Sequence, residues 1–136
     1  MGFEKSTILV VDDNEIYSDL ILSLFDRLDF RAVLKAEDGN AAVSILERQP
    51  VDLILSDWEM PGMNGLELLK WVRSHEKTMH LPFVMMTARV GEADRLEAME
   101  AKATDYIVKP FSPHVLLNRL ANALSIRIEI SDYVQE

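Results

Sequence analysis

Short apolar segments alternate along the chain with longer stretches in which apolar residues recur three or four positions apart. Residues 8–11 read Ile-Leu-Val-Val, a continuous apolar run typical of strands that are buried on both faces. Four more strands are predicted at 31–36, 51–55, 83–86 and 106–108. The stretches after the strands have the period of amphipathic helices. The pattern therefore predicts five strands that alternate with five helices.

The predicted helices differ in how clearly their apolar faces are marked. The first places six apolar residues on one face, namely Ile16, Leu20, Ile21, Leu24, Phe25 and Leu28. The second and third show the same spacing at Ala42, Ile45, Leu46 and at Leu66, Leu69, Val72. The fourth is more polar, and its apolar positions are Ala93, Leu96 and Met99. The fifth has the clearest start, because Ser112 is a good N-cap and Pro113 suits the first helical position.

Strands that alternate with helices form parallel sheets, because each crossover helix returns the chain to the same end of the sheet. We therefore predict an α/β fold: a single doubly wound, flavodoxin-like sheet of five parallel strands with helices on both faces. The expected strand order is 2-1-3-4-5, which places the very apolar first strand inside the sheet. Ligands of such sheets bind beyond the carboxyl ends of the strands, where the strand order reverses.

Polar residues whose side chains can bind ligands or take part in reactions follow these strands. Asp12 and Asp13 end the first strand, Asp57 ends the third, and Thr87 and Lys109 follow the fourth and fifth. Three carboxylates at one edge repel one another and raise at least one pKa unless a cation is present. Clusters of oxygen ligands suit Mg²⁺, and a lysine beside them offers a positive charge to a phosphoryl oxygen. Each residue alone would be an ordinary cap, turn or surface residue. The prediction of a site therefore depends on all five side chains lying together at one edge of the sheet.

Composition and charge narrow the class of protein. The 136 residues carry 14 Lys and Arg against 23 Asp and Glu, a formal net charge of −9, and no cysteine. The length suits one domain, and the absence of cysteine excludes disulfides, thiolate metal sites and thiol catalysis. The acidic balance argues against direct binding of nucleic acid. Neither a signal peptide nor an apolar run long enough to span a membrane is evident, so a cytoplasmic location is expected.

Five motifs at these positions carry a family resemblance. They are Leu9-Val10-Val11-Asp12-Asp13-Asn14, Asp38-Gly39, the run SDWEMPGMNG at 56–65, Met86-Thr87-Ala88, and the run DYIVKPF at 105–111. In this combination the sequence resembles the receiver domain of two-component response regulators, and chemotaxis-type receivers in particular. The alternating pattern extends the match to about residue 126. The resemblance implies a receiver domain at 1–126, followed at 127–136 by a tail or the start of a linker.

The resemblance implies a role for each site residue. Asp57 would be the phosphoacceptor, and Lys109 and Thr87 would contact the phosphoryl oxygens. Mg²⁺, or Mn²⁺ in its place, would be bound by Asp12, Asp13, Asp57 and the backbone carbonyl of Glu59. Lys109-Pro110 resembles the family's cis peptide, which would direct Lys109 into the site.

The resemblance also implies a switch and partners. Thr87 would move toward the phosphoryl group, Tyr106 would turn inward, and the surface of helix four, strand five and helix five would change. A plainer interpretation of Tyr106 is a strand residue whose hydroxyl lies in water. The phosphodonor would be a sensor histidine kinase or a histidine phosphotransfer protein, and the target a downstream protein or an attached output domain. The chain would be a phosphoacceptor rather than a multiple-turnover enzyme, and a monomer or a phosphorylation-dependent dimer.

One position departs from the usual pattern of the family, and two others lie where the family varies. Lys102 stands where many receivers have glycine, so the left-handed cap of helix four would be strained or differently shaped. Glu59 and Arg89 are oppositely charged and border the acceptor. We hypothesise that they form an ion pair over the site that hinders an attacking water; a solvated, unpaired arrangement is the alternative.

Three other functions and two conformations of the tail stay open at this stage. A Mg²⁺-dependent phosphohydrolase that forms a phosphoaspartate would share the Asp, Thr and Lys. A flavin-binding module would need a hydroxyl-rich phosphate loop where Asp12 and Asp13 stand. A receiver fold kept only for protein interaction is the third. In the tail, Ile126, Ile128 and Ile130 alternate as in an extended segment, whereas Leu120, Leu124 and Ile128 would continue the last helix.

Overall fold

Strands and helices alternate throughout residues 2–128, the part of the chain that this computed structural model describes. The strands are β1 (Thr7–Val11), β2 (Ala32–Ala36), β3 (Leu53–Asp57), β4 (Phe83–Thr87) and β5 (Asp105–Val108). The helices are α1 (Glu15–Phe25), α2 (Gly39–Arg48), α3 (Gly65–Ser74), α4 (Glu92–Glu100) and α5 (Pro113–Ala123). All the strand pairs are parallel and the order is β2-β1-β3-β4-β5, so the predicted fold is confirmed.

The core lies on both faces of the sheet, as the apolar run at 8–11 predicts. Leu9 and Val11 point to one face, where they join buried residues of α2, α3 and α4. Ile8 and Val10 point to the other face, which α1 and α5 cover. All four side chains are fully buried. Such two-sided burial leaves only the strand ends free for chemistry.

The third strand differs from its prediction of 51–55. It begins at Leu53 and continues through the polar residues Ser56 and Asp57. These two residues pair with Met85 and Met86 of β4, so the ladder of hydrogen bonds extends beyond the apolar residues. As a result Asp57 belongs to the strand, and its backbone is held by the sheet.

The apolar face predicted for the first helix is partly wrong. Ile16 is 79% exposed and Leu20 is 64% exposed, whereas Ser18, Ile21 and Phe25 are buried. At 100° per residue the buried three form one stripe, and Ile16 and Leu20 lie on the opposite side of α1. An apolar pair is therefore left in solvent near the carboxyl ends of the strands.

The fourth helix also presents apolar side chains to solvent. The apolar face predicted for this helix is wrong: Ala93 is exposed, Leu96 is 51% exposed and Met99 is 38% exposed. Ala98 is the buried residue of α4. A helix with such a thin buried face packs with little apolar area. Few buried apolar contacts therefore hold this helix in place.

Left-handed residues follow two helices. Lys102 has φ 73°, and the N–H of Ala103 donates to the carbonyl of Ala98 at 3.0 Å, as in a Schellman cap. The cap after α4 thus keeps its ordinary shape, and a lysine occupies a conformation that favours glycine. After α5, Ser125 has φ 57° and Ile126 N–H donates to Ala121 at 2.9 Å.

The last described residues favour the extended interpretation of the tail. Helix α5 ends at Ala123, and Ile126 and Ile128 pack on the core while Arg127 between them is exposed. Ile130 and the rest of 129–136 lie outside the described residues.

Candidate functional site

The carboxyl ends of β1 and β3 bring three acidic side chains together. Val11 pairs with Ser56, so the following residues Asp12 and Asp57 lie at the point where the strand order reverses. Carboxylate oxygens of Asp12, Asp13 and Asp57 all lie within 4.8 Å of one another. Asp12 and Asp57 are buried and Asp13 is exposed. The structure therefore brings together the three acids that the sequence predicts.

The two carboxylate oxygens of Asp57 have different surroundings. Oδ1 accepts hydrogen bonds from the backbone N–H groups of Trp58 at 2.7 Å and Glu59 at 3.4 Å. Oδ2 faces the ammonium of Lys109 at 3.2 Å. Burial raises the pKa of Asp57, and Lys109 lowers it less than burial and the neighbouring Asp12 raise it. Oδ1 is anchored by the backbone, and Oδ2 is the oxygen open to chemistry.

Lys109 lies between two carboxylates. Its Nζ is 3.1 Å from Oδ2 of Asp12 and 3.2 Å from Oδ2 of Asp57. The side chain is only 13% exposed, and the Lys109–Pro110 peptide bond is cis, as the sequence predicts. Backbone N–H of Lys109 also donates to the carbonyl of Thr87 at 2.8 Å, which fixes the strand end from which the side chain extends.

The donor set fits a hard divalent cation. It consists of carboxylate oxygens alone, two of them on buried residues, and an ammonium already sits against those two. Mg²⁺ and Mn²⁺ bind such oxygen ligands, with water in the remaining positions. Within residues 2–128, Asp12, Asp13 and Asp57 form the one group of three acidic side chains whose oxygens lie close enough together to bind a single ion.

Thr87, at the end of β4, and Tyr106, in β5, are both buried. The Oγ1 of Thr87 accepts a hydrogen bond from the Arg89 N–H at 3.1 Å. The Tyr106 side chain lies inward, and its hydroxyl donates to the carbonyl of Arg89 at 2.8 Å. The interpretation of Tyr106 as a strand residue with its hydroxyl in water is therefore wrong. Burial raises the pKa of this phenol, with the Asp94 carboxylate adding to the effect.

Arg89 links the residues that follow β3 to the first turn of α4. Its guanidinium is paired with the Glu59 carboxylate and lies 3.1 Å from Oδ1 of Asp94. The same group stacks 4.5 Å above the centre of the Trp58 ring. Partial burial lowers the pKa of Arg89, but the carboxylates of Glu59 and Asp94 raise it by more, so the pKa lies above its ordinary value. The predicted Glu59–Arg89 pair is present, so the unpaired arrangement is wrong, and the Glu59 side chain is 64% exposed to solvent.

Three members of this site were not predicted from the sequence. Asp94 and Trp58 both contact Arg89, and the Tyr17 ring lies 4.0 Å from the Lys109 ammonium. A signal for Tyr17 existed, because it falls in the first turn of a helix that starts beside Asp12. The contact of Asp94 depends on the path of the 88–91 loop, which the pattern of residues does not determine.

No helix within the described residues is long and apolar enough to cross a membrane.

Comparison with known proteins gives consistent matches over most of the chain. The family model described as the response regulator receiver domain matches residues 8–121. A chemotaxis protein CheY homologue of Campylobacter jejuni is 41% identical over 118 residues, which cover 86% of this chain and 91% of the relative. The chemotaxis protein CheY of Pseudomonas aeruginosa is 38% identical over 113 residues, with 83% and 91% covered.

Solved structures show the same similarity. The receiver domain of the Pseudomonas aeruginosa sensor histidine kinase PA1611, which has a magnesium ion coordinated in its active site cleft, superposes with a TM-score of 0.81 at 31% identity. The Vibrio cholerae chemotaxis protein CheY4 gives a TM-score of 0.82 at 30% identity. Each match covers 88% of this chain and 98% of the other.

Proposed function

Because the chain belongs to the response regulator receiver family, we propose that it accepts a phosphoryl group on Asp57 from a phosphohistidine of a partner protein. The observation that supports this most directly is the arrangement around Oδ2 of Asp57. This oxygen lies in an acidic, metal-competent cluster and 3.2 Å from a lysine ammonium. Its partner oxygen is held by the backbone.

In the proposed transfer, Oδ2 of Asp57 attacks phosphorus and forms a new O–P bond. The P–N bond of the phosphohistidine breaks, and its electron pair returns to the imidazole nitrogen of the donor. The hydrogen bond from Trp58 N–H holds Oδ1 of Asp57, which would restrict the carboxylate while Oδ2 attacks phosphorus opposite the leaving nitrogen. Phosphoryl transfer of this kind needs positioning and charge neutralisation more than covalent assistance.

Asp12, Asp13, Asp57 and the backbone carbonyl of Glu59 would hold Mg²⁺, with Mn²⁺ as a substitute. When bound, the ion would offset the repulsion between the acids and the incoming phosphoryl oxygens. Lys109 would turn its ammonium from Asp57 toward a phosphoryl oxygen while staying near Asp12, since the two carboxylate contacts are of almost equal length. Thr87, which accepts a bond from Arg89 N–H, has its own hydroxyl proton to donate to another phosphoryl oxygen.

The proposed output is a rearrangement at Thr87 and Tyr106. Movement of the Thr87 hydroxyl toward the phosphoryl group would disturb its bond with Arg89, whose carbonyl holds the Tyr106 hydroxyl. Exchange of Tyr106 between inward and outward positions would alter the surface of α4, β5 and α5. A cavity of about 470 Å³ between these elements, lined by Tyr106, gives the ring space to turn outward.

Partners would meet two surfaces. A sensor histidine kinase or histidine phosphotransfer protein must reach Asp57, and the exposed Ile16 in the first turn of α1 lies beside the carboxyl ends of the strands, where such a protein would dock. A downstream protein or attached output domain would contact α4, β5 and α5, where Leu96 and Val115 are exposed. Partners of this kind imply a cytoplasmic location, as a monomer or as a dimer that forms on phosphorylation.

The receiver domain would comprise residues 1–126, and 127–136 would be a tail or the start of a linker. The Schellman bond from Ile126 to Ala121 closes the last helix and supports this boundary.

The Arg89–Glu59 pair would slow the loss of the phosphoryl group. A water that hydrolyses an acyl phosphate must approach in line, and the Arg89 guanidinium lies over Trp58, next to Asp57. Three contacts hold it there, to Glu59, Asp94 and the Trp58 ring.

Incubation with Mg²⁺ and phosphoramidate, a small donor with a P–N bond, tests the proposal by intact mass. We expect one added phosphoryl group on the wild-type protein and none on Asp57→Asn or in EDTA. Sustained release of phosphate over many turnovers from a generic phosphate monoester would instead support a phosphohydrolase. Failure of every small donor to modify the protein in Mg²⁺ would contradict the proposal.

A further inference from the structure

The Tyr17 side chain forms one wall of the space occupied by the Lys109 ammonium. Nζ of Lys109 lies 4.0 Å from the centre of the Tyr17 ring, well within the distance at which a cation is attracted to an aromatic face. On its other sides the same nitrogen contacts Asp12 at 3.1 Å and Asp57 at 3.2 Å. The ammonium is thus confined between two carboxylates and a ring.

Local hydrogen bonds connect Tyr17 to the acidic cluster. The N–H of Asn14 donates to Oδ1 of Asp12 at 2.9 Å, and Oδ1 of Asn14 accepts from the Tyr17 N–H at 3.0 Å. Asn14 is therefore the N-cap of α1 and a link from Asp12 to Tyr17. Because of this link, the start of the helix places the ring at a fixed offset from Asp12.

A second aromatic ring also contacts Tyr17. Tyr17 meets Phe111 edge to face, with 5.9 Å between ring centres and 80° between the planes. Phe111 lies two residues after Lys109, so the ring of α1 is packed against both ends of the same short loop. Its position therefore follows that of the loop that carries the lysine.

From this geometry we propose that Tyr17 is a positioning residue, whose ring face holds the Lys109 ammonium where an incoming phosphoryl oxygen needs it. The inference rests on the proposed transfer to Asp57. A lysine has a flexible four-carbon stem, and water competes for its ammonium. The ring restricts the stem and excludes water, yet it does not neutralise the charge as a third carboxylate would. The full positive charge of Lys109 stays available to an anion.

In this proposal the face of the Tyr17 ring holds the Lys109 ammonium, and the Tyr17 hydroxyl has no part in it. Tyr17→Phe should therefore retain the behaviour of the wild-type protein, because phenylalanine keeps the face and the contact with Phe111. Tyr17→Leu keeps apolar volume but has no aromatic face. Leu20→Ala is a matched control, because Leu20 lies on the same helix and its side chain is 64% exposed.

Two measurements on the whole chain test the proposal. The first is the NMR shift of the Lys109 ε-methylene protons, which lie next to the ammonium and hence near the ring. We expect a ring-current displacement to high field in the wild-type, Tyr17→Phe and Leu20→Ala proteins, and its loss in Tyr17→Leu. Thermal unfolding of each variant verifies that the proteins compared are folded.

The second measurement is the rate of phosphorylation by acetyl phosphate in Mg²⁺. We expect Tyr17→Leu to react about five- to thirty-fold more slowly than wild type, as the loss of a desolvated cation–ring contact predicts. Tyr17→Phe and Leu20→Ala should stay within about twofold.

The outcomes separate this proposal from the function on which it rests. If the wild-type protein takes no phosphoryl group, the proposed function fails, whatever the NMR shows. If it does and Tyr17→Leu reacts as fast as wild type, the positioning role is refuted. A Tyr17→Phe protein as slow as Tyr17→Leu would assign the effect to the hydroxyl and overturn the proposed ring contact, as would Lys109 protons with ordinary shifts in the wild-type protein.

Discussion

Replacement of Asp57 by asparagine should make the protein more stable at neutral pH, although it removes the proposed acceptor. Burial raises the pKa of Asp57, Lys109 opposes the shift, and Asp12 adds to it. The folded protein therefore holds the Asp57 proton more tightly than the unfolded chain does. Ionisation then lowers the free energy of unfolding as the pH rises above the unfolded value of about 3.9. Asparagine has no such charge.

Distances in the site give the size of the effect. At an effective dielectric constant of about 20, Lys109 at 3.2 Å attracts the Asp57 carboxylate by about 5 kcal/mol. Each of the other two carboxylates, at up to 4.8 Å, repels it by about 3.5 kcal/mol before solvent screening. Attraction and repulsion therefore nearly cancel once Asp13 is screened, and burial of the Asp57 carboxylate makes its ionisation unfavourable. Asparagine Oδ1 still accepts the hydrogen bond from Trp58 N–H. Because Asp13 is exposed and screened, we expect a gain of about 1–2 kcal/mol.

Urea unfolding followed by circular dichroism, in EDTA and at several pH values, measures the difference. Glu97→Gln, which removes one negative charge from the exposed side of α4, controls for the change in net charge. The gap between Asp57→Asn and wild type should close as the pH falls to about 4, and Mg²⁺ should narrow it by stabilising the wild-type protein. An Asp57→Asn protein that is no more stable at pH 7, or a gap that widens in acid, would refute the reasoning.

Three further predictions concern two backbone positions, Lys102 and Gly65, and the side chain of Arg89. Lys102→Gly should raise the free energy of unfolding by about 1 kcal/mol in urea titration, since φ at this position is 73°, and no gain with glycine would show that lysine is unstrained there. Gly65→Ala should lower the free energy of unfolding by about 3 kcal/mol or more, because the added Cβ would lie 2.1 Å from the Asp57 carbonyl oxygen. Gly91→Ala is the control, since the atom nearest to its Cβ would be 3.4 Å away. Equal effects of the two substitutions would contradict the prediction. Arg89→Ala should lose its phosphoryl group about fivefold faster than wild type or Arg95→Ala, as measured by phosphate release, and an unchanged lifetime would show that the Arg89–Glu59 pair does not hinder water.

The sequence predicts the sheet well because its signals are local. The run at 8–11 is apolar on every residue, which occurs in strands covered on both sides, and alternation with helices then limits the strand order. Positions of Asp12, Asp57 and Lys109 at one edge follow from that topology alone. The side chains that meet at the strand ends were therefore predictable to the residue.

Contacts between side chains were less predictable, because they depend on how far a helix rotates against the sheet. Apolar periodicity placed Ile16 and Leu20 in the core, but α1 contains a second stripe, and burial of Ser18, Ile21 and Phe25 turns the first one outward. Because one member of the buried stripe is a serine, a search for regularly spaced apolar residues does not detect that stripe.

Loops set the remaining contacts of the site. The Glu59–Arg89 pair follows from opposite charges at two strand ends, but the Asp94 contact needs the path of the 88–91 loop. Tyr106 illustrates the same limit: its position on β5 was evident, whereas its inward orientation depends on the Arg89 carbonyl in that loop.

Identification of the modified residue tests the central claim most directly. Borohydride reduces an acyl phosphate to an alcohol, so an aspartyl phosphate becomes homoserine and marks its own position for peptide mass spectrometry. After incubation with acetyl phosphate and Mg²⁺, we expect homoserine at Asp57 alone, and none when EDTA is present. Homoserine at Asp12 or Asp13, or its absence from every peptide, would contradict the assignment of Asp57 as the phosphoacceptor.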